Sequence, residues 1–164
     1  MTAGEGLWDF SLRVYGTPSI AKWCLRLQDE HGADVNILLW CAWAGSQGVR
    51  LTADDLAAAE AATAAWRDQV VLPLRALRRA LKRDLGQVSA DAAVALRTRI
   101  KGVELEAERL QQAALERLPQ GRRRPGRGFV ETAIADNIAL YQQALGAPAG
   151  DVPDALPLAA RSRR

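Results

Sequence analysis

The fold is decided by one stretch, DEHGADVNILLWCAW at residues 29–43, in which polar residues give way to an almost unbroken apolar run. Gly32 is typical of a helix end. Asp34 is placed to cap the next helix, because its carboxylate can accept free backbone N–H groups. The run that begins at Val35 is apolar on nearly every side, the pattern of a helix buried all round. We therefore predict the end of one helix followed by the capped start of a buried one.

The same helical periodicity, with abundant alanine, leucine and arginine, predicts an all-α fold: a single compact bundle of about six helices. Its largest part is a long antiparallel helical hairpin, kinked at Pro73 because proline removes a helical hydrogen bond and clashes with the preceding turn. The chain end loses periodicity and finishes in RSRR, which predicts a disordered basic tail. The predicted parts are one domain at 1–146, comprising a Trp-rich three-helix unit at 7–48, the hairpin at 52–118 and a closing helix at 128–146, then the tail at 147–164.

Composition limits the class of protein. With 164 residues, 49% of them apolar and 25% charged, the chain has the make-up of a soluble globular domain. No apolar run approaches the ~20 residues that span a bilayer, and no basic-then-apolar leader opens the sequence. We expect a cytoplasmic protein without a membrane span. Cys24 and Cys41 lie in apolar helices and are expected to be reduced and buried, with their proximity left open.

Charge is divided unevenly along the chain. Residues 1–65 carry 4 Lys/Arg against 8 Asp/Glu, a net of −4, whereas residues 66–164 carry 18 against 11, a net of +7. Two basic clusters could form an anion or partner surface, although a solvated helix face and a flexible loop are the commoner explanation of such clusters. Nucleic-acid binding is disfavoured, because neither cluster contains an aromatic residue. The candidate surface residues are Arg75, Arg78, Arg79, Arg122, Arg123 and Arg124.

Polar residues beside the tryptophan helices suggest a second candidate site. They could form the mouth of an apolar cleft, since tryptophans line pockets as well as cores. The structural alternative is that Asp29 lies in an exposed last turn, Asp34 caps a helix, and Asn36 bonds a neighbouring helix. The candidate ligand or partner residues are Gln28, Asp29, Asp34, Asn36, Trp40 and Trp43.

Catalytic signatures are missing from the sequence. It has no GxxxxGK[ST], GxGxxG, GxSxG or HExxH motif. One histidine and two separated cysteines give no Cys/His zinc spacing. We expect no catalytic residue, metal site or cofactor, and the balance is against an enzyme without excluding one.

Three segments carry a resemblance to a known family: WDFSLRVY at 8–15, CLRLQD at 24–29 and GADVNILLWCAW at 32–43. Together they resemble the N-terminal signature of a small family of uncharacterised, conserved bacterial proteins, mainly proteobacterial. WRDQVVLPLRALRRALK, from Trp66, is similar too, and the resemblance covers residues 7–145. It implies a mostly helical cytoplasmic protein, and it imports no activity. If the family keeps Gln28, Asp29, Asp34 and Asn36 together, capping alone does not explain them.

The sequence favours a non-catalytic interaction or regulatory protein that contacts a protein partner through its basic face. The alternative is a small-molecule-binding protein or enzyme that uses the tryptophan cleft. A third possibility is self-association through heptad positions that the monomer leaves uncovered. Those positions are Leu96, Ile100, Val103, Ala107, Leu110 and Ala114.

Overall fold

The structure, a computed structural model, describes residues 5–119, 127–148 and 150–160. All regular elements in these residues are helical, which confirms the all-α prediction. The helices are α1 (Leu7–Tyr15), α2 (Pro18–His31), α3 (Val35–Ser46), α4 (Ala53–Trp66), a π-helical segment (Arg67–Val71), α5 (Leu72–Ala80), α6 (Ala90–Glu116), α7 (Arg127–Ala144) and α8 (Ala155–Ala159). No helix in the described ranges is both long and apolar enough to cross a membrane.

Helix α3 is the centre of the fold. Its cap is the predicted one, because a carboxylate oxygen of Asp34 accepts the N–H of Asn36 at 2.9 Å. Each residue from Asn36 to Gly45 is buried, and the helix packs against α1, α2, α6 and α7. At Gly45, an added Cβ would lie 2.6 Å from the backbone of Ile134, so α3 and α7 cross in close contact. The predicted buried helix is confirmed.

The hairpin is built from two antiparallel rods. One is α4, the π-segment and α5 in continuous succession, and the other is α6. Trp66 Nε1 donates to the carbonyl of Ala107 at 2.9 Å, while Arg75, further along the first rod, reaches back to Glu104 on α6. The first rod is irregular close to Pro73, where the kink was predicted, because the π-helical segment ends two residues before this proline. A π-turn is one of the recognised ways in which a helix accommodates such a disruption.

The closing helix α7 lies against α3 and fixes the connection that follows it. Asn137 accepts the N–H of Leu51 at 2.8 Å and donates to the carbonyls of Cys41 and Val49 at 3.1 and 2.9 Å. This buried amide therefore satisfies three backbone groups in the α3–α4 region. Ile134 and Ile138 complete the apolar contact with α3.

The chain end differs from the predicted disordered tail. Within 150–160 the structure has the short helix α8, which packs against α1, α2 and α7, and Leu156 and Ala160 belong to the core. Gln142 on α7 also donates to the carbonyl of Gly150 at 3.1 Å. Proline and glycine obscured the helical pattern, but the small apolar side chains of this segment cover the core. Residues 161–164 lie outside the described residues.

Candidate functional site: a charged cleft between the N-terminal helices and the hairpin

A cleft of about 300 Å³ opens where α1, α2 and α3 meet α5 and α6. One part of its lining is apolar and another is strongly polar, so it presents two chemistries to one occupant. The apolar lining is Trp8, Leu12, Tyr15, Leu25, Val35, Leu39 and Leu105, and the polar lining is Ser11, Gln28, Asn36, Arg75, Arg78, Arg79, Lys101, Glu104, Glu108 and Gln112.

Arg75 connects three helices at the cleft. Its guanidinium donates to Glu104 Oε1 at 3.2 Å and to Glu108 Oε1 at 2.8 Å, both on α6. A third bond of 2.7 Å reaches Gln28 Oε1 on α2. Because a guanidinium offers five donors in a rigid plane, this one side chain fixes α5 against α6 and α2.

Glu104 is the buried acceptor of the cleft, with 5% of its surface exposed. Arg78 donates to both of its oxygens, with 3.1 Å from Nη2 to Oε1, and Arg75 adds a further bond. Burial on its own disfavours the charged form, but hydrogen bonds from Arg78 and Arg75 hold the pKa of Glu104 below its ordinary value. The carboxylate is therefore ionised and doubly paired.

Glu108 follows Glu104 by one helical turn but titrates in the opposite direction. Burial raises the pKa of Glu108, and the charge of Arg75 only partly opposes that rise. A neighbouring negative charge on Glu104 adds to the increase. The two carboxyl groups at this edge of the cleft therefore differ in how readily they take up a proton.

Two buried polar atoms at the cleft lack a hydrogen-bond partner in the structure. They are Ser11 Oγ and Gln112 Oε1, in residues that are 3% and 2% exposed. Both residues line the cleft. Buried polar groups in folded proteins are normally paired. Neither oxygen has exposed surface, however, so an occupant of the cleft would reach these atoms only after the side chains rearranged.

A polar network holds α3 against α6 beneath the cleft. The side-chain amide of Asn36 donates to Gln111 Oε1 and accepts from Gln112 Nε2, both at 2.9 Å. Gln111 Nε2 donates to Asp34 at 2.6 Å, and the N–H of Asp34 donates to the hydroxyl of Tyr141 on α7 at 2.9 Å. Burial raises the pKa of Asp34, although the bond from Gln111 opposes this shift. These contacts correspond to the structural alternative for Asp34 and Asn36.

The structure brings together residues from both candidate sites. Gln28 and Asn36, predicted for the tryptophan cleft, line the same space as Arg75, Arg78 and Arg79, predicted for the basic surface. The two hypotheses therefore converge on one cleft. Arg122, Arg123 and Arg124 lie outside the described residues.

Other predicted site residues lie elsewhere. Trp40 is fully buried in the core, and Trp43 is also buried, with its indole N–H donating to the carbonyl of Glu5 at 2.8 Å. Neither residue lines the cleft, where the indole is that of Trp8. Asp29 is exposed on α2, with a carboxylate oxygen 3.7 Å from Arg79. Among the described residues, no group of three Cys, His, Asp or Glu side chains could hold a metal ion.

The acidic residues of the cleft were not predicted from the sequence. Glu104 and Glu108 are four residues apart on α6, and Arg75 and Arg78 are three apart on α5, so each pair occupies one face of its helix. Antiparallel pairing of these helices makes such faces complementary. That spacing was a usable signal, whereas Ser11 and Gln112 had none, because only the packing of α1 and α6 brings these two residues to the cleft.

Fold and site together define an all-α bundle with a charged, partly apolar cleft, a class that by itself fixes no activity. The chain belongs to the family described as protein of unknown function (DUF2390), whose model matches residues 6–115. This confirms the resemblance to a family of uncharacterised proteins, and the matched range includes all of the cleft residues. No curated protein and no solved structure matches the chain significantly.

Proposed function

We propose that this is a non-catalytic cytoplasmic binding protein whose cleft holds a small amphipathic organic anion. The observation that carries the proposal is the lining of the cleft, where the exposed cations Arg79 and Lys101 stand beside exposed leucine side chains. This lining supports the small-molecule alternative that the sequence suggested. The arginines predicted for a partner surface then belong to the ligand cleft.

Charge favours an anionic occupant. The cleft is lined by four cationic side chains and two carboxylates, a net charge of +2. Arg75 and Arg78 are turned toward Glu104, but Arg79 and Lys101 are exposed at the edge. A carboxylate or phosphate group suits this environment, since both groups accept charge-assisted hydrogen bonds from arginine and lysine.

The apolar lining favours a ligand with a hydrocarbon body. Leu12, Leu25 and Leu105 are 52%, 43% and 47% exposed, so an occupant would remove considerable apolar surface from water. Each Å² of such surface is worth roughly 25 cal/mol on burial. A volume of about 300 Å³ is that of a small-molecule pocket.

The polar groups are arranged for binding rather than for nucleophilic chemistry. Ser11 Oγ has no hydrogen-bond partner in the structure, so no neighbouring base activates it. The carboxylate of Glu104 is neutralised by Arg75 and Arg78. Binding without catalysis is therefore the function that these contacts support best.

Native and denaturing mass spectra of the protein purified from its own cells would test this proposal. We expect a small non-covalent mass in the native spectrum that disappears on denaturation. The Arg79→Glu/Lys101→Glu double variant should lose it, while Lys22→Glu, an exposed charge change on α2 outside the cleft, should retain it. An adduct that survives in the double variant would contradict binding in this cleft.

A protein partner remains the second candidate, supported by the same exposed leucines around the cleft and by Arg79. Arg75 and Arg78 contribute less to such a surface, because their guanidinium groups pair with α6. Exchange of Arg79 alone for Glu should abolish capture of a partner without loss of folding. Unchanged capture would argue against this second candidate.

A further inference from the structure

Exposed apolar side chains are concentrated on the hairpin. Of the twelve large hydrophobic residues exposed in the described part of the chain, ten lie between residues 66 and 110. Three of them repeat every seven residues along α6: Leu96, Val103 and Leu110, which are 44%, 54% and 46% exposed. Isolated surface leucines need no explanation, but a heptad repeat places these three in a single row, here called the α6 stripe.

The monomer uses only half of the predicted heptad seam. Ile100 and Ala107 are buried against the rest of the hairpin, whereas the α6 stripe between them is left uncovered. Trp66 borders it, because its indole bonds the carbonyl of Ala107 while 38% of the residue stays exposed. The exposed half of a heptad seam has the form of a helix-pairing surface.

Charges beside the α6 stripe identify the occupant. Arg99 and Glu106 are exposed, and at ~100° per residue both lie on the same side of Val103, ~40° and ~60° away. If a second α6 runs antiparallel about a two-fold axis at Val103, Leu96 faces Leu110 of the second copy. Along the helix, Arg99 lies ~6 Å before the two-fold axis, and Glu106 of the second copy lies ~4.5 Å before the same axis. The two side chains are therefore nearly level with each other. Parallel pairing would instead put this charged side of the two copies on opposite flanks of the interface, so that Arg99 and Glu106 would not meet.

We propose that the protein forms a two-fold symmetric dimer through the α6 stripe, with the two α6 helices antiparallel and Arg99 paired to Glu106 of the second copy. Glu106 already binds Arg109 of its own helix at 2.6 Å, but a carboxylate has lone pairs for a second donor. Leu105 of the cleft lies ~160° around the helix from Val103. The dimer therefore leaves the cleft open, and this proposal does not depend on the proposed function.

Sedimentation equilibrium of the full chain up to ~100 µM would test the dimer, a range suited to a small interface. We expect reversible dimerisation, weakened at least ~tenfold by Val103→Lys because both copies lose an apolar contact and two like charges meet. The matched control is Thr98→Lys, an exposed position on α6 turned ~140° from Val103. Circular dichroism verifies that each variant is folded. A monomeric wild type, or a dimer indifferent to Val103→Lys, would overturn the proposal.

The antiparallel register has its own test. Arg99→Glu and Glu106→Arg should each weaken self-association, since each places like charges together twice in the dimer. An equimolar mixture of the two variants should associate more tightly than either alone, because both contacts in the mixed dimer then join opposite charges. A mixture no tighter than its components would overturn the antiparallel arrangement.

Discussion

At the scale of single residues, the cleft depends on one buried ion-pair cluster. Glu104 is 5% exposed and serves two guanidinium groups, while Glu108 and Gln28 complete the hydrogen bonds of Arg75. Such clusters are not efficient stabilisers compared with apolar packing, but removal of one member leaves buried charge without a partner. The cluster thus keeps cationic side chains at the cleft. Apolar residues in their place would leave the cleft without a group that binds an anion.

Glu104→Gln should lower the free energy of unfolding by about 3 kcal/mol at neutral pH, because Arg78 loses its charged partner and Arg75 keeps only Glu108. The folded-state pKa of Glu104 lies below its ordinary value of 4.5, so its contribution is fully present above that pH and is lost as pH falls through the lowered pKa. Urea unfolding of wild type and variant from about pH 7 to about pH 3 measures this difference.

The difference in unfolding free energy between wild type and Glu104→Gln should therefore shrink in acid. Glu30→Gln, a matched exposed change on α2, should leave stability nearly unaltered throughout. A wild-type-to-variant difference that stays constant with pH would contradict the ion-paired state of Glu104.

The two thiols should be inert in the folded protein. Burial raises the pKa of Cys24 to about 12 and that of Cys41 further still, so the reactive thiolate is scarce and shielded. We expect iodoacetamide to modify neither cysteine under native conditions at about pH 8 and both in denaturant, as counted by intact mass. Rapid native alkylation of either thiol would show that the core opens more readily than its packing implies.

At the scale of helices, the decisive contact is the crossing of α3 and α7. Gly45→Ala should destabilise the protein by roughly 1–3 kcal/mol, because the new Cβ would meet backbone atoms of Ile134 rather than a movable side chain. Gly102→Ala on α6 is the matched control, since open space surrounds that position. It should raise stability by up to about 1 kcal/mol through helix propensity. Equal effects of the two substitutions in thermal unfolding would contradict the close crossing.

Helix ends were predictable from the sequence because their causes are local. Asp34 caps α3 as expected, Thr52 and Asp55 form a capping box at the start of α4, and Ser89 caps α6. The apolar run of α3 likewise predicted that this helix is buried. In contrast, α8 was missed, because its helical character rests on packing against α1, α2 and α7 rather than on a strong local pattern.

At the scale of the whole molecule, the cleft belongs to no single predicted unit. Its lining comes from the N-terminal helices on one side and the hairpin on the other. Sequence spacing could place Gln28, Asn36 and the arginines on helix faces, but it could not bring those faces together. Spacing also could not show that Trp40 and Trp43 pack in the core whereas Trp8 lines the cleft.

Because the cleft joins two parts of the fold, an occupant should stabilise the molecule as a unit. Binding to the folded state alone adds about 2.7 kcal/mol at a ligand concentration of 100 times Kd. Differential scanning calorimetry with decyl phosphate should show a rise in Tm that grows with concentration. Leu105→Ser, which shortens an exposed apolar side chain of the cleft, should reduce the shift. A shift of the same size in Leu105→Ser would remove Leu105 from the binding contacts.

Isothermal titration of the wild-type protein with decyl phosphate measures whether the cleft binds an amphipathic anion. We expect saturable binding of one ligand per chain, loss of that binding in Arg79→Glu/Lys101→Glu, and much weaker binding of decanol, which has the same hydrocarbon body without the charge. Binding of decanol as tight as that of decyl phosphate, or no saturable binding of either, would contradict this expectation.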